Sequence, residues 1–456
     1  MIKRTFSKYQ PHYQTNLKLA VPVVISQLGH TLVHTADSII VGHFAGTVPL
    51  AAVALVNSIF MVIMVIGMGI SYGLTPLIAQ ESGRKNFKEC GKLLANSLLI
   101  NSIIGIILYV LVYYGSLAVI DNMDQSPEVV RQAKPYLALL GISIIPLMVF
   151  MTFKQFAEGL GFTKQAMMIS LWGNVFNICL GIIFVKGLFG ISPMGVSGVG
   201  WSTLADRLIM AVVMAMYVLK SRHFTAYLKT FTLNAIDTIR SKAILKIGTP
   251  VAMQYTFEVS AFSAAAIFIG TIGAVEQAAH QVAINMASMT YMMASGISSA
   301  ATIKTGNNFG REDFMSLRLS AISSYHIVLG FMSLTALIFI VFNQFLPWIY
   351  TSDTNVISIA AQLLIIAGFF QLFDGTQVVG LGILRGIGDV NVPTIITFVA
   401  YWIIGLPIGY YLGITLGLGA NGVWYGLTAG LLVSSILLFL RFQFFSKKLV
   451  RLIHTE

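Results

Sequence analysis

The sequence has few charged residues, far fewer than a water-soluble protein needs. Only 10% of its 456 residues are Asp, Glu, Lys or Arg, whereas soluble domains carry about 25%. This scarcity excludes an ordinary cytosolic enzyme, a disordered chain and a nucleic-acid-binding protein. The two cysteines, Cys90 and Cys179, lie far apart in different segments, which excludes a disulfide framework and a cysteine-based metal cluster.

Catalytic and nucleotide-binding motifs are missing as well. The chain contains no Walker A sequence, no GxSxG and no HExxH. We therefore expect no enzyme activity and no cofactor, and an ion gradient is the remaining energy source for transport. The apolar run that follows the polar, basic start is too long for a cleaved leader, so we expect the first span to be the insertion signal.

Long apolar runs are what the sequence does have. Hydrophobic residues make up 56% of the chain, and the mean hydropathy is +0.82. A helix that crosses a bilayer needs about 20 apolar residues, and the runs are continuous rather than alternating, which favours helices over β-barrel strands. The predicted fold class is all-α, a polytopic membrane protein with twelve transmembrane helices. The twelve predicted spans are 16–42, 50–79, 92–119, 136–158, 165–186, 195–219, 247–270, 278–304, 318–346, 357–384, 393–415 and 420–444.

The basic residues are distributed unevenly between the predicted loops. With the N-terminus in the cytoplasm, 24 of the 28 Lys and Arg residues fall in inside segments. Three fall in outside loops, and Arg207 lies within a span. The positive-inside rule then predicts that both termini are cytoplasmic. We expect a multi-pass protein of the inner (plasma) membrane, whose net charge of +11 faces anionic lipid headgroups and not nucleic acid.

The two halves of the chain resemble each other at an offset near 227 residues. Pro22-Val23 is echoed by Pro250-Val251, and Gly69-Ile70-Ser71 by Gly296-Ile297-Ser298. Six spans in each half keep both halves in the same orientation, which makes this a parallel repeat. Transporters often bind substrate at the interface of such repeats.

The repeat predicts a division of the chain into two lobes. An N-terminal six-helix lobe is expected at 1–219, a cytoplasmic linker at 220–246 and a C-terminal six-helix lobe at 247–456. Because the cleft would lie within one chain, we expect a monomer.

Four polar residues of the first span share one helical face. They follow each other at steps of three, four and three residues: Gln27, His30, His34 and Asp37. A charged group at the centre of a span costs about 2.5–3.5 kcal/mol, so such a residue is a candidate functional residue. The pattern is compatible with a hydrogen-bonded seam between helices, with a proton or cation relay, and with a metal site formed by the two histidines and Asp37.

Two further carboxylates lie in spans of the second half. Glu258 follows Gln254 by one helical turn, and Asp374 is flanked at three-residue steps by Gln371 and Gln377. Two buried carboxylates repel each other if both are ionised, and a bound Na⁺ or a shared proton relieves that repulsion. The alternative is that helix-helix hydrogen bonds hold each carboxylate in a structural role.

The remaining charges near or within spans are expected to be structural. Asp206 and Arg207 are successive residues, which do not face each other on a helix, so each should have a different partner. Glu158 and Arg385 lie near the cytoplasmic ends of spans four and ten, where we expect them to snorkel or to pair across the repeat.

These features resemble the MATE family, the multidrug and toxic compound extrusion transporters, and specifically its bacterial NorM-type branch. The resemblance covers nearly the whole chain. It rests on the repeat of six plus six spans, on a first span that ends in Asp37-Ser38-Ile39-Ile40-Val41-Gly42, and on Glu258. Its most specific stretch is Gln371-Leu372-Phe373-Asp374-Gly375-Thr376-Gln377-Val378-Val379.

The resemblance to this family implies two six-helix lobes that form a V around a central cleft. It also implies export of cationic, amphipathic compounds in exchange for Na⁺ or H⁺.

The resemblance also implies roles for individual residues. Glu258 and Asp374 would form a cation site, with Na⁺ as the possible metal, and Asp37 would couple the N-terminal lobe to the ion. The residues expected to line the substrate site or the polar cleft are Gln27, His30, His34, Asn177, Thr203, Gln254, Tyr291, Gln371 and Gln377.

Two positions depart from the family pattern. Phe370 stands one turn before Asp374, where a tyrosine is expected, and Gly181 stands four residues after Asn177, where an asparagine or aspartate is frequent. The first departure removes a hydroxyl from the Na⁺ site, and the second removes an oxygen ligand from the N-terminal lobe.

Two other functions compete with export. A lipid-linked precursor flippase of the same superfamily is expected to have a cationic cavity for the pyrophosphate and commonly has extra spans. Here the charges at membrane depth are mainly acidic and twelve spans account for the chain. A channel is disfavoured because no selectivity-filter sequence is present.

Overall fold

The chain is helical over nearly all of the residues that its computed structural model describes, which are 2–116, 118, 120 and 126–453. Residues 117 and 119, which belong to the third predicted span, lie outside these ranges. The α-helices are α1 Ile2–Phe44, α2 Thr47–Ser71, α3 Leu74–Gly83, α4 Phe87–Val110, α5 Pro127–Gly159, α6 Thr163–Lys186, α7 Val196–Lys220, α8 Thr225–Leu228, α9 Thr238–Ile272, α10 Ala274–Gly310, α11 Phe314–Val341, α12 Thr354–Ile387, α13 Asn391–Phe398, α14 Leu406–Tyr410 and α15 Gly419–Ile453.

Eleven spans within the described ranges are long and apolar enough to cross a membrane. Thr47–Gly83 counts as one span although a short break separates α2 from α3, and Asn391–Thr415 counts as another. The eighth predicted span lies in α10, which is long enough but carries Gln277, His280 and Gln281 in its first half, so its hydropathy is lower. The predicted all-α membrane fold is confirmed.

The chain divides into two compact units. The N-unit is Ile25–Ala252, and the C-unit is Met1–Val24 with Met253–Glu456. The predicted lobe boundaries at 219 and 247 differ from this division at both ends. The first 24 residues pack in the C-unit, and the segment 220–246 packs in the N-unit.

Two long helices, α1 and α9, contribute to both units. In the C-unit, the absence of a side chain on Gly296 allows α10 to lie directly against Val24, where a Cβ would be 2.7 Å from the Val24 backbone N. In the N-unit, Gly69 lies against the backbone of Ala252 in the same way. These two glycines are equivalent in the repeat. Each unit is therefore completed by the first part of a helix whose remainder belongs to the other unit.

Hydrogen bonds hold the first part of α1 inside the C-unit. The buried Asn16 Nδ2 lies 2.9 Å from the Ser320 carbonyl oxygen and 2.8 Å from Ser323 Oγ, both on α11. One turn earlier, Tyr13 forms a 2.8 Å hydrogen bond with His326 Nδ1. The N-terminal part of α1 is thus held in the C-unit, although the rest of this helix belongs to the N-unit.

The segment 220–246 is fastened to α4 of the N-unit. Asn96 Nδ2 donates to the Ala235 carbonyl (2.9 Å), and its Oδ1 accepts from the Asp237 N–H (2.9 Å). Arg240 pairs with Glu89 at 2.5 Å. These contacts explain why the segment belongs to the compact N-unit rather than forming a separate linker.

A seam of glycines joins the span Asn391–Thr415 to α15 in the C-unit. The spacing is four residues on both sides: Gly405, Gly409 and Gly413 face Gly422, Gly426 and Gly430. A Cβ on Gly422 would lie 2.5 Å from the Gly413 backbone N, so only glycine allows this approach. Small residues at four-residue steps are the usual way in which membrane helices pack closely. The same span contains two π-helical segments, Val399–Gly405 and Tyr411–Thr415.

Candidate functional site

The C-unit brings the two predicted carboxylates into one buried site. Glu258 lies on α9 and Asp374 on α12, with exposed fractions of 6% and 3%. The two carboxylates interact electrostatically with each other and with Tyr291 of α10. Three of the residues predicted from the sequence are thus neighbours, although Glu258 and Asp374 are separated by more than 100 positions along the chain.

Two of the glutamines near this pair, Gln254 and Gln377, use their nitrogens for structural hydrogen bonds. Gln377 Nε2 donates to the Tyr401 hydroxyl at 2.9 Å. Gln254 Nε2 donates to Thr394 Oγ1 at 3.0 Å and lies 3.3 Å from the Val390 carbonyl. These bonds leave both Oε1 atoms without a donor among the described residues.

Several buried oxygens of the C-unit consequently lack a hydrogen-bond donor in the described part of the chain. They are Asp374 Oδ1, Gln254 Oε1, Gln371 Oε1 and Gln377 Oε1. A buried acceptor without a partner is costly. Oxygens of carboxylates and carboxamides are the ligands that hard cations prefer, so this donor set fits Na⁺ and equally fits a proton held on a carboxylate.

Tyr401 is a residue of this site that the sequence analysis missed. It is fully buried on the π-helical segment Val399–Gly405, and it interacts electrostatically with both Glu258 and Asp374. Phe370, which replaces the expected tyrosine, packs in the apolar core against Trp424 with ring centroids 5.2 Å apart. The hydroxyl missing at position 370 is therefore provided near the same carboxylates by another helix. Nothing in the sequence marked Tyr401, because it lies in a uniformly apolar span.

The N-unit contains a second buried polar site on α1, α6 and α7. Asp37, Asn177 and Thr203 are 3%, 1% and 6% exposed, and Asn177 Nδ2 donates to Thr203 Oγ1 at 3.4 Å. Asp37 Oδ1 and Asn177 Oδ1 have no hydrogen-bond partner within the described ranges. All three residues were predicted from the sequence.

The other polar residues of the first span lie nearer to a surface. Gln27 and His30 are half-buried, and His34 is exposed. His30 interacts electrostatically with His34, and both interact with Arg207. No group of three His, Cys, Asp or Glu residues in the described chain is arranged to hold a metal ion, so the structure does not form the metal site considered for this face.

Buried basic residues correct part of the analysis of the charges. Lys154 Nζ lies 3.8 Å from Glu158 Oε1 on the same helix, and both side chains are at most 5% exposed. Glu158 was expected to snorkel or to pair across the repeat. It is buried instead of reaching a surface, and Lys154, one turn earlier in α5, forms an ion pair with it. Arg385 is also buried and lies over the Tyr255 ring at 5.9 Å.

Arg207, which lies within a predicted span, is buried in the N-unit. Its Nη1 donates to Ser143 Oγ at 2.7 Å, and its guanidinium lies over the Phe60 ring at 5.3 Å. As expected for successive helical residues, its hydrogen-bond partner differs from the neighbours of Asp206.

Comparison with known proteins gives consistent matches over nearly the whole chain. The MatE family model matches residues 22–183 and, a second time, residues 250–411. Multidrug resistance protein MdtK of Yersinia pseudotuberculosis is 32% identical over 446 residues, which are 97% of each chain. Multidrug resistance protein NorM of Photobacterium profundum is 32% identical over 442 residues, covering 95% of this chain and 96% of the relative. The crystal structure of MATE in the bent conformation has the same fold, with a TM-score of 0.88 at 21% identity over 97% of this chain and 98% of that one. The double match of one family model supports the internal repeat.

Proposed function

The chain belongs to the MatE family, and on that premise we propose that it is a secondary active antiporter, which exports cationic, amphipathic compounds in exchange for Na⁺ or H⁺. The observation that carries the proposal is the buried pair of Glu258 and Asp374, surrounded by oxygens that lack a donor in the described chain. The relatives MdtK and NorM are named multidrug resistance proteins, which supports varied small molecules as substrates and a transporter rather than an enzyme.

The carboxylate pair can hold a proton, Na⁺ or an organic cation, but its charge can be neutralised only once. Two ionised carboxylates in a buried site repel each other, so the doubly charged state is unfavourable. A cation that binds there relieves the repulsion, and a second cation gains less. Mutually exclusive occupancy of one site is the simplest basis for exchange, because drug release and ion binding then favour each other.

The concentration gradient of the coupling ion can drive this exchange. Exchanging one monovalent cation for another moves no net charge across the membrane, so the membrane potential does no work on it. A tenfold gradient of Na⁺ or H⁺ corresponds to about 1.4 kcal/mol. No nucleotide-binding domain is needed.

The other residues have supporting roles in the proposal. Asp37 couples the N-unit to the ion, with His30 and His34 beside it as further proton acceptors. Gln371, Gln377 and Tyr291 hold the substrate or ion next to the carboxylates. The protein needs no cofactor. It acts as a monomer in the inner membrane, with both termini in the cytoplasm.

Transport by the purified protein tests the proposal. Ethidium movement across proteoliposome membranes would be followed by fluorescence. It would be compared under an imposed Na⁺ gradient and under an imposed pH gradient. Collapsing either gradient with an ionophore is the control. Export driven by Na⁺ alone assigns coupling to Glu258 and Asp374. Export driven by the pH gradient alone shifts coupling toward Asp37 and the two histidines. If ethidium does not move under either gradient, the antiporter is rejected and the flippase becomes the leading function.

A further inference from the structure

The N-unit contains a buried lysine that has no role in the proposed exchange. The side chains of Lys154 and Glu158 on α5 are only 4% and 5% exposed, and Lys154 Nζ lies 3.8 Å from Glu158 Oε1. That oxygen accepts no hydrogen bond from the described residues. Two charges lose much hydration free energy on burial, and a loose ion pair does not regain it. Stability alone therefore does not explain why this pair is buried.

Lys154 also contacts the first helix. Its Nζ donates to Ser26 Oγ at 3.5 Å, and Ser26 is fully buried. Ser26 follows Pro22 by four residues and lies at the start of the part of α1 that belongs to the N-unit, which begins at Ile25. The ammonium thus joins α1 to α5 at the place where α1 enters the N-unit.

Ser26 and Asp37 occupy the same face of α1. They are eleven residues apart, which at about 100° per residue is close to three full turns and about 16 Å along the axis. Both are buried, and Val33, on the same face between them, is 8% exposed. A contact that fixes the direction of Ser26 therefore also fixes the direction of Asp37.

Apolar packing is a weak determinant of helix rotation inside a membrane, because contacts between apolar side chains are not directional. A single buried polar side chain can fix the register of packed helices. At the outer end of α1, Lys186 Nζ lies over the Phe44 ring at 3.9 Å, but both residues are exposed. An exposed contact of this kind contributes about 0.5–1 kcal/mol. The buried, directional contact is the one that Lys154 makes with Ser26.

We propose that Lys154 is a positioning residue for ion coupling: by its hydrogen bond to Ser26 it fixes the rotation of α1 in the N-unit, and thereby keeps Asp37 turned into the buried interior of that unit. Glu158 holds the ammonium in place from the other side. Lys154 acts through α1 and contacts neither the ion nor the substrate. The inference rests on the proposed function, in which Asp37 couples the N-unit to the ion.

Two variants remove the contact without leaving a buried charge alone. Ser26→Ala deletes the acceptor and keeps the ion pair, whereas Lys154→Met/Glu158→Gln deletes the ammonium together with its partner's charge. Lys154→Met by itself would leave a buried carboxylate unpaired, which is strongly destabilising.

The dependence of export on each ligand separates positioning from stability. In both variants we expect the concentration of the driving ion, Na⁺ or H⁺, at half-maximal ethidium export to rise by about threefold or more. The ethidium concentration at half-maximal export should stay within about twofold of the parent value. A merely structural role would lower the amount of folded protein and the maximal rate, and would leave the driving-ion value unchanged.

A cysteine on the buried face of α1 gives a readout other than transport. Val33→Cys would be introduced together with Cys179→Ser, since Cys179 is exposed and Cys90 is buried. Alkylation by a maleimide would be followed in detergent. We expect the rate to rise by about threefold or more when Ser26→Ala or Lys154→Met/Glu158→Gln is added, because α1 is then free to rotate.

Control variants make each outcome decisive. Lys164→Met removes an exposed lysine of the same unit and should match the parent protein in both measurements. Lys154→Arg keeps a donor and a positive charge, and should restore the driving-ion value to within about twofold of the parent.

Unchanged alkylation in both test variants would overturn the fixed rotation of α1. Faster alkylation with an unchanged driving-ion value would overturn the role of Lys154 in coupling. If the parent protein exports no ethidium under either gradient, the proposed function fails, whereas the alkylation rates still decide whether Lys154 holds α1.

Discussion

At the scale of single residues, the two polar sites differ from the rest of the buried polar groups. Most buried hydroxyls and amides in the described chain have a partner, such as Thr302 Oγ1, which donates to the Gly382 carbonyl at 2.8 Å. Around Glu258 and Asp374, several acceptors have none among the described residues. Since unpaired buried acceptors cost free energy, we infer that a bound cation compensates for them during the transport cycle.

Asp374→Asn should abolish gradient-driven export and leave the protein folded. The amide preserves the shape of the side chain but removes the charge that attracts the cation. Ethidium transport in proteoliposomes and size-exclusion chromatography measure the two effects. Glu312→Gln, an exposed position in the C-unit, is the matched control. Full export by Asp374→Asn would remove this residue from the mechanism.

Tyr401→Phe should lower both stability and cation affinity. The substitution leaves Gln377 Nε2 without its acceptor in a fully buried place, and an orphaned buried donor costs about 1–3 kcal/mol. The thermal midpoint in detergent should fall, whereas Tyr411→Phe, at a side chain that is 55% exposed, should leave it unchanged. Equal midpoints for the two variants would show that the Gln377–Tyr401 bond does not support the site.

At the scale of helices, close packing depends on glycines whose neighbours are backbone atoms. The seam between the span Asn391–Thr415 and α15 is an example, with three glycines on each side. Since lipid tails are as apolar as the side chains, membrane helices associate through close contact rather than through burial from water. The irregular π-helical segments of that span are held in place by this seam, and they position Tyr401.

Gly426→Ala should destabilise the protein, although the change adds a single methyl group. That methyl would meet the backbone of Gly409 and lie 2.6 Å from the Gly405 carbonyl oxygen, and backbone atoms cannot rotate away. Overpacking of this kind costs about 1–3 kcal/mol. Gly330→Ala is the control, because no atom lies within 4 Å of its Cβ position, and the lost chain entropy should raise stability slightly. Thermal unfolding in detergent compares the two, and a Gly426→Ala protein as stable as the parent would contradict the close contact.

At the scale of the whole molecule, the chain is organised as two units. The first part of α1 belongs to the C-unit and the first part of α9 to the N-unit, whereas the remainder of each helix belongs to the other unit. Each unit holds one such segment tightly, through Asn16 in the C-unit and through the Gly69–Ala252 contact in the N-unit. Pro22 and Pro250 lie inside these helices, close to the residues at which they pass from one unit to the other. A proline removes a backbone hydrogen bond and allows a helix to bend, so these are the positions at which we expect bending.

Reporter fusions should place both termini in the cytoplasm. The basis is the excess of Lys and Arg on one side, which persists although Lys154 and Arg385 prove to be buried. In Escherichia coli, a green fluorescent protein fused after Glu456 should fluoresce, and alkaline phosphatase fused after Gly190 should be active, because the enzyme needs periplasmic disulfides. Exchanging the two reporters should silence both, and the opposite pattern would invert the predicted topology.

How far the sequence predicted the site can be judged from particular residues. Asp37, Glu258 and Asp374 were recognised because charge within an apolar run is expensive and therefore conspicuous. Tyr401 and Arg207 were not assigned to the sites, since one lies in an apolar span and the other was expected to have a structural role. Lys154 was not identified as a partner of Glu158, because helical spacing alone cannot decide between a neighbour one turn away and a residue from the other half.

The sequence by itself determined the all-helical membrane fold and its internal repeat, because the bilayer imposes apolar length and a repeated gene segment keeps its spacing. Only the tertiary structure decided which unit each end of α1 and α9 belongs to, and which buried oxygens lack donors among the described residues. These properties depend on distances of a few ångströms between residues far apart in the chain. Hydropathy is a property of each segment alone, whereas an unpaired oxygen is defined by every neighbour around it.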